Sequence, residues 1–205
     1  ENSPTIVQQM FLFPFTFGIE YVHALRLLGG WREVDNAYNE LPRSSTEIIH
    51  PQKYIEGFTP KRVEISNFSR RLPANWTLVQ NDVWGEFLLL LWLGLNMDGE
   101  NAAKASSGWL GDKYALIQNE TSGKNSLAIA LEWESDLEAD EFVLFLTNSL
   151  DKLNFNGVSN WKGLLKHPVE RFVVIEQNKS MVLLIISSEK ESASLLMSEF
   201  DKMME

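Results

Sequence analysis

Apolar residues in the first half of the chain recur with the spacing of one buried helix face. Phe17, Tyr21, Leu25 and Leu28 follow this spacing, and Gly29-Gly30 then ends the pattern. Similar stripes, together with Pro and Gly breaks, mark further helical segments. The pattern predicts helices over residues 5–13, 15–28, 31–41, 44–50, 83–97 and 101–107.

Two of these helices carry further expectations. In the helix over residues 31–41, Tyr38 is expected to face inward. The helix over residues 83–97 is apolar nearly all round and is expected to be the most buried element. Asn81 or Asp82 is placed to act as its N-cap.

After Gly108 the pattern changes to alternating strands and tight turns. The order strand, turn, strand, helix occurs twice, in residues 109–152 and 171–204, and a loop with Gly157, Gly163 and Pro168 joins the two units. The run MVLLII at residues 181–186 lacks alternation, which is typical of a central strand covered on both faces. The alternating segment at residues 61–66 is read as a strand or an extended arm.

The two patterns together predict an α+β fold. A helical N-terminal half is followed by two ββα units that form an antiparallel sheet with helices packed on it. We expect the mainly helical region to span residues 1–108 and the α+β region residues 109–205.

Composition and charge narrow the function classes. The 205 residues carry a formal net charge of −10, and their basic residues are scattered, so nucleic acid is not an expected partner. No cysteine is present, which excludes disulfides, Cys-ligated zinc and thiol nucleophiles.

The sequence gives limited signals about membranes and export. The longest apolar run, residues 87–95, falls well short of the roughly 20 residues that a membrane helix needs, so we expect no transmembrane segment. Four sequons are present and have meaning only if the chain is exported by a cell that glycosylates. They begin at Asn67, Asn75, Asn119 and Asn178.

No complete catalytic or metal site can be written from the sequence. His23, His50 and His167 lie far apart, and neither a two-His zinc signature nor a nucleophile elbow is present. Glu20 and His23 are interpreted as an ion pair on one helix surface. We therefore expect no cofactor and leave open whether the protein is an enzyme.

The segment GWLGDKY, residues 108–114, has two readings. Trp109 and Asp112 either pack into a turn that enters the second region or belong to a ligand-facing loop.

Four segments in a fixed order carry a resemblance to a known group of proteins. They are residues 11–54, with PRSSTEIIHPQKY at their end, residues 81–93, residues 104–116 with GWLGDKY, and residues 131–142. In this order they resemble the C-terminal part of uncharacterised archaeal and bacterial surface proteins or lipoproteins related to gluzincin (HExxH) metallopeptidases.

The resemblance implies a chain that lacks the catalytic part. In such families the zinc-binding HExxH helix and the downstream Glu ligand precede the segment that matches here, so this chain would not form the zinc site alone. His and Tyr are residues that such peptidases use to stabilise an oxyanion. Glu47, His50 and Tyr54 therefore either line a cleft facing an upstream peptidase-like region or form a helix cap and an anchored turn.

The expected function is a supporting or binding role in an exported, extracellular or cell-surface protein. Two alternatives stay open. The chain is part of a metal-dependent hydrolase completed by a missing N-terminal half, or it is a module that binds a small apolar ligand.

Overall fold

The computed structural model describes residues 3–65, 72, 75–152, 163–167 and 171–204. Within these residues the chain is a mixed α+β protein, with a helical region followed by an antiparallel sheet that carries further helices. The predicted fold class is therefore confirmed. Gly157, Pro168 and Asn67 lie outside the described residues.

Short helices form the N-terminal region, close to the predicted bounds. They are α1 Thr5–Leu12, a 3-10 turn at Phe13–Phe15, α2 Phe17–Gly29, α3 Trp31–Asn39, α4 Ser45–Ile49 and α5 Pro51–Ile55. Gly30 separates α2 from α3 at φ 70°, a conformation that favours glycine. Helix α5 follows α4 directly and was not predicted.

Helices α2 and α3 share a small core. Tyr21 and Leu25 of α2 pack against Val34 and Ala37 of α3. These four residues fill the contact between the helices, so Leu28 and Tyr38, both expected to face inward, are exposed.

The C-terminal region is built on an antiparallel sheet of order β1-β2-β3-β6-β5-β4. The strands are β1 Trp76–Asp82, β2 Trp109–Asn119, β3 Asn125–Trp133, β4 Gly163–His167, β5 Arg171–Asn178 and β6 Met181–Ser187. The helices are α6 Gly85–Leu93, α7 Gly99–Ser106, α8 Asp136–Lys152 and α9 Lys190–Met204.

The two predicted ββα units are present, as β2-β3-α8 and β5-β6-α9. They join at the centre of the sheet, where β3 pairs antiparallel with β6. The edge strands β1 and β4 were not predicted. In β1 only Trp76 and Leu78 are partly buried and the other residues are exposed, so its sequence lacks a strong alternating pattern.

Both faces of the sheet are covered. On one face α6, α7 and α8 pack on side chains such as Leu131 and Leu184. On the other, α9 packs on Ala130 and Ile185. Successive residues of β6 thus point into different cores, which confirms the prediction of a central strand covered on both faces.

The sheet region begins earlier than residue 109. Strand β1 pairs with β2, and Leu89, Leu93, Ala102 and Ala105 of α6 and α7 belong to the same core as Trp109 of β2. The division expected at residue 108 therefore runs through one packed unit.

Residues 61–65 have no regular secondary structure but lie directly against β2. The Lys61 N–H donates to the Leu110 carbonyl at 2.8 Å. A Cβ at Gly111 would sit 2.1 Å from the Lys61 carbonyl oxygen, so only glycine allows this close approach. The ammonium of Lys61 also bonds the buried carboxylate of Glu132 at 2.5 Å, which ties the segment to β3.

Candidate functional site

A polar cleft of about 800 Å³ lies among α2, α3, α4 and α5. Two of the residues singled out by the sequence, Glu47 and Tyr54, line it. Its other polar lining residues are Glu33, Asn36, Asn39, Glu40 and Arg43.

Glu47 lies in the first turn of helix α4, where backbone N–H groups hold its side chain. Its carboxylate accepts from the N–H groups of Arg43, at 2.5 Å, and Ser44, at 2.9 Å. The bond from the Ser44 N–H is the glutamate half of a capping box at the start of the helix. Glu47 is buried, so these two donors stabilise its negative charge.

Tyr54 is held by two contacts at the same cleft. Its hydroxyl donates to the Glu40 carbonyl at 2.7 Å. Its ring meets that of Tyr21 edge-on, with the ring centroids 5.3 Å apart. Burial above all, and the nearby Tyr54, raise the pKa of Tyr21 far above its ordinary value.

His50 does not line this cleft but reaches α6. Its Nε2 lies 2.7 Å from Oε1 of Glu86, a buried carboxylate in the first turn of that helix. The His50 side chain is 34% exposed, so the imidazole stands between solvent and the buried acid. Among the residues expected at a cleft, Glu47 and Tyr54 come together, and His50 belongs to a separate pair.

Several buried polar atoms around α4 lack partners. In the part of the chain that the structure describes, these are Ser44 Oγ, Thr46 Oγ1 and Glu86 Oε2. The buried Tyr21 hydroxyl of α2 also makes no hydrogen bond. Unsatisfied buried groups are costly and are few in most proteins. Buried polar atoms without partners are thus concentrated at the junction of α2, α4 and α6.

Glu86, Glu33 and Glu40 were not predicted from the sequence. Glu86 gave one usable signal, because it is the only charged residue in the apolar run GEFLLLLWL. Such a charge in a buried helix needs a partner. Glu33 and Glu40 gave no signal, since the fold of α2 to α5 alone brings them to one cleft.

Trp109 and Asp112 lie on strand β2 rather than on a loop, and both are buried. Asp112 accepts from the N–H groups of Trp84, at 2.7 Å, and Gly85, at 2.8 Å, and from the Trp109 indole at 3.1 Å. It therefore caps α6, the role expected of Asn81 or Asp82. Burial raises the pKa of Asp112, although its three donors oppose that shift.

A second cleft, of about 510 Å³, lies beside this cap. Trp109 and Asp112 reach it together with Ser45, Lys61 and Arg43. The two residues are thus both packed and cleft-lining.

The remaining predicted features, which are candidate metal ligands, the Glu20–His23 pair and the sequons, are far apart or lie at the surface. Within the described ranges, no three His, Asp or Glu side chains lie together in a way that could hold a metal ion. Glu20 and His23 are exposed on α2. Asn75 and Asn119 are neighbours, with their side chains 3.5 Å apart, and Asn178 is exposed.

One helical stretch qualifies by length and composition as a membrane span. It runs over Thr5–Gly29, with a mean hydropathy of 1.2 and only 11% of its apolar window buried. The expectation of no transmembrane segment was based on uninterrupted apolar runs, and it stays a prediction, since length and composition alone do not show that this stretch crosses a membrane.

The fold and its clefts define an α+β protein. Its helical region contains a polar cleft and packs against a sheet region whose sheet is covered on both faces. Residues 72–197 match a family described as a domain of unknown function, DUF8575, and the chain belongs to that family. The match extends from just before β1 into α9, and the cleft helices precede it. Comparisons with curated proteins and with solved structures gave no match. The resemblance to gluzincin-related proteins stays a prediction.

Proposed function

We propose that this chain is a non-catalytic binding module of an exported surface protein, and that the polar cleft is its binding site. The supporting observation is the lining of the cleft, where Glu33 of α3, Glu40 directly after α3 and Glu47 of α4 come together. An upstream peptidase-like region, as the sequence resemblance implies, would be the part that this module supports.

The charge of the cleft favours a cationic ligand. Three glutamates and one arginine, Arg43, line the cleft, and Arg43 already donates to Thr59 at 2.6 Å. The exposed Arg32 guanidinium lies 3.4 Å from the Glu33 carboxylate, so the cleft keeps an excess of negative charge. Asn36 and Asn39 add amide groups that can accept or donate hydrogen bonds. Amines, or the Lys and Arg side chains of a peptide, match this lining in charge and hydrogen bonding.

Spermidine is a suitable probe because it carries several amines on a flexible chain. We expect measurable heat when it is titrated into the protein at low salt. The double variant Glu33→Gln/Glu40→Gln keeps the shape of the cleft and should weaken binding about tenfold, near 1.4 kcal/mol. Glu100→Gln, at an exposed position on α7, is the matched control and should bind as the unmodified protein does.

An absence of binding by the unmodified protein would contradict a cationic ligand. An equal loss in the Glu100→Gln control would show that only the overall charge of −10 attracts the probe.

A metal-dependent hydrolase completed by another chain segment is the first alternative. The pair of His50 and Glu86 favours it, because metal-binding His residues often bond a carboxylate through their second ring nitrogen. Equilibrium dialysis with zinc tests it. Stoichiometric zinc that is lost in His50→Ala and retained in His23→Ala would support the hydrolase over the binding module.

An apolar ligand is the second alternative. A third cleft of about 390 Å³, lined mainly by apolar residues such as Phe17, Phe87 and Leu91, lies between α1 and the start of α2 on one side and α6 and α7 on the other. The neutral dye N-phenyl-1-naphthylamine should bind there with enhanced fluorescence. Leu91→Trp should fill the cleft and abolish that signal, whereas Leu144→Trp on the exposed side of α8 should not.

A further inference from the structure

Residues 11–22 present two apolar faces, and only one of them packs on the protein. Phe13 and Phe17 contact Phe87 of α6, with ring centroids 4.2 Å and 5.9 Å apart. The opposite face consists of Phe11, Phe15, Ile19 and Val22, which we call the outer stripe. Phe11, Phe15 and Ile19 are 76%, 70% and 61% exposed.

The outer stripe runs over three consecutive helical segments. Phe11 lies near the end of α1, Phe15 ends the 3-10 turn, and Ile19 and Val22, three residues apart, share one side of α2. A surface helix of a soluble domain carries polar residues on this side, and a helix that is apolar all round is typical of a buried or membrane environment. The outer stripe therefore needs a covering partner that is itself apolar.

We propose that the outer stripe inserts into one leaflet of a lipid bilayer, with the helix lying along the membrane surface. The helical stretch Thr5–Gly29 has the composition of a membrane segment, with Glu20 and Arg26 as its only acidic or basic residues besides His23. Helix α2 stays packed through Phe17 and Tyr21, so it lies on the membrane and does not cross it.

The end of the stretch has the residues found at the membrane–water boundary. The Arg26 guanidinium lies 5.0 Å from the ring centre of Trp31, and the Trp31 ring is itself exposed. Trp and Arg favour this boundary because each combines an apolar body with a polar tip.

Two other occupants fit the charges less well. A second copy would bring together two chains of net charge −10, which repel each other. A polar protein partner would need hydrogen-bonding groups, and the outer stripe offers none. The same negative charge predicts that binding to lipid is hydrophobic and prefers neutral headgroups.

Flotation with phosphatidylcholine vesicles tests the proposal. We expect the protein to float with vesicles equally at 50 mM and 500 mM salt, and more weakly with vesicles containing phosphatidylglycerol at low salt. The variant Phe11→Ser/Phe15→Ser/Ile19→Ser should lose at least tenfold in binding. The control Val79→Ser/Leu137→Ser/Leu144→Ser removes three exposed apolar residues elsewhere and should float normally.

Site-specific labelling identifies the face that meets the lipid. The chain contains no cysteine, so Phe15→Cys and Leu144→Cys each accept one environment-sensitive fluorophore. Vesicles should shift the emission to the blue at position 15 and leave it unchanged at position 144. Circular dichroism spectra that match the unmodified protein establish that both variants are folded.

Three results would overturn the proposal. They are failure of the unmodified protein to float, equal shifts at positions 15 and 144, and a dimer without lipid that becomes a monomer when the outer stripe is replaced. The last result would assign the stripe to a second copy.

Discussion

The helical region of α1 to α5 and the sheet region from β1 to α9 use their apolar residues differently. The sheet region buries them in two cores, one on each face. The helical region has a core of only Tyr21, Leu25, Val34 and Ala37 and leaves many large apolar side chains exposed. The sheet region therefore carries most of the fold's stability, and the helical region carries surfaces suited to binding.

The largest expected effect lies in the core of the sheet region. Phe142 is fully buried on α8 and stacks on Trp133, with ring centroids 4.7 Å apart. Phe142→Ala should reduce the free energy of unfolding by about 3–5 kcal/mol, because it removes buried surface and leaves a cavity. Urea denaturation measures the loss. Leu144→Ala, on the exposed side of the same helix, should cost far less, and similar losses in both would refute the contrast.

The cap of α6 should have the next largest effect. Asp112→Ala leaves the N–H groups of Trp84 and Gly85 and the Trp109 indole without their acceptor. We expect a loss of about 2–4 kcal/mol in the free energy of unfolding. Asp112→Asn keeps one carbonyl oxygen and should lose less. Equal stability of Asp112→Ala and the unmodified protein would exclude the cap.

Asp112 also predicts a pH dependence. Burial raises its pKa in the folded state above the ordinary 3.8, so the folded state holds its proton more tightly. Its contribution to stability is fully present below pH 3.8 and is lost as the pH rises through the raised pKa. Between neutral pH and pH 3.8, acidification should therefore favour the unmodified protein over Asp112→Asn in paired denaturation curves. A difference that is independent of pH would contradict the shift.

Loss of the His50–Glu86 pair, which connects the two regions, should lower the free energy of unfolding by a smaller amount. His50→Ala removes the imidazole that bonds the buried Glu86, but His50 is partly exposed and solvent weakens the interaction. We expect about 1–2 kcal/mol of lost stability by thermal denaturation. His23→Ala, on the exposed surface of α2, is the control and should change little. A null effect of His50→Ala would mean that water replaces the imidazole.

The smallest effect is expected at the outer stripe. Phe15→Ser alters a side chain that is 70% exposed, so the free energy of unfolding should change by no more than about 0.5 kcal/mol. Chemical denaturation alongside Phe142→Ala gives a direct comparison of two phenylalanines. A loss above about 1.5 kcal/mol would place Phe15 in a packed core and weaken the case for a membrane surface.

The elements of the sheet region could be predicted because their signals are local. The strong period-two pattern of Leu127 to Trp133 and the capping pattern of Ser135 and Glu138 each lie within a few residues. The edge strand β1 could not, because most of its side chains are exposed and its polar residues hide the period. Similarly, the exposure of Tyr38 depends on how α3 packs against α2, which the α3 pattern does not encode.

The candidate site was predictable only in part. Glu47 and Tyr54 were found together because the capping box and the turn that follows it place them within eight residues. Glu33 of α3 and Glu40 at the end of that helix reach the same cleft, and Glu86 meets His50 from 36 residues away. Interactions over such distances depend on helix packing, which no short motif determines.

The sequence by itself determined the fold class, the two ββα units and the absence of thiol chemistry. Periodicity is a property of one segment and composition a property of the whole chain, so neither depends on which segments pack together. The tertiary structure alone decided that Asp112 caps α6, that His50 meets Glu86 and that the outer stripe faces away from the protein. These outcomes depend on which surfaces pack together, and that choice is made by the free energy of the whole chain.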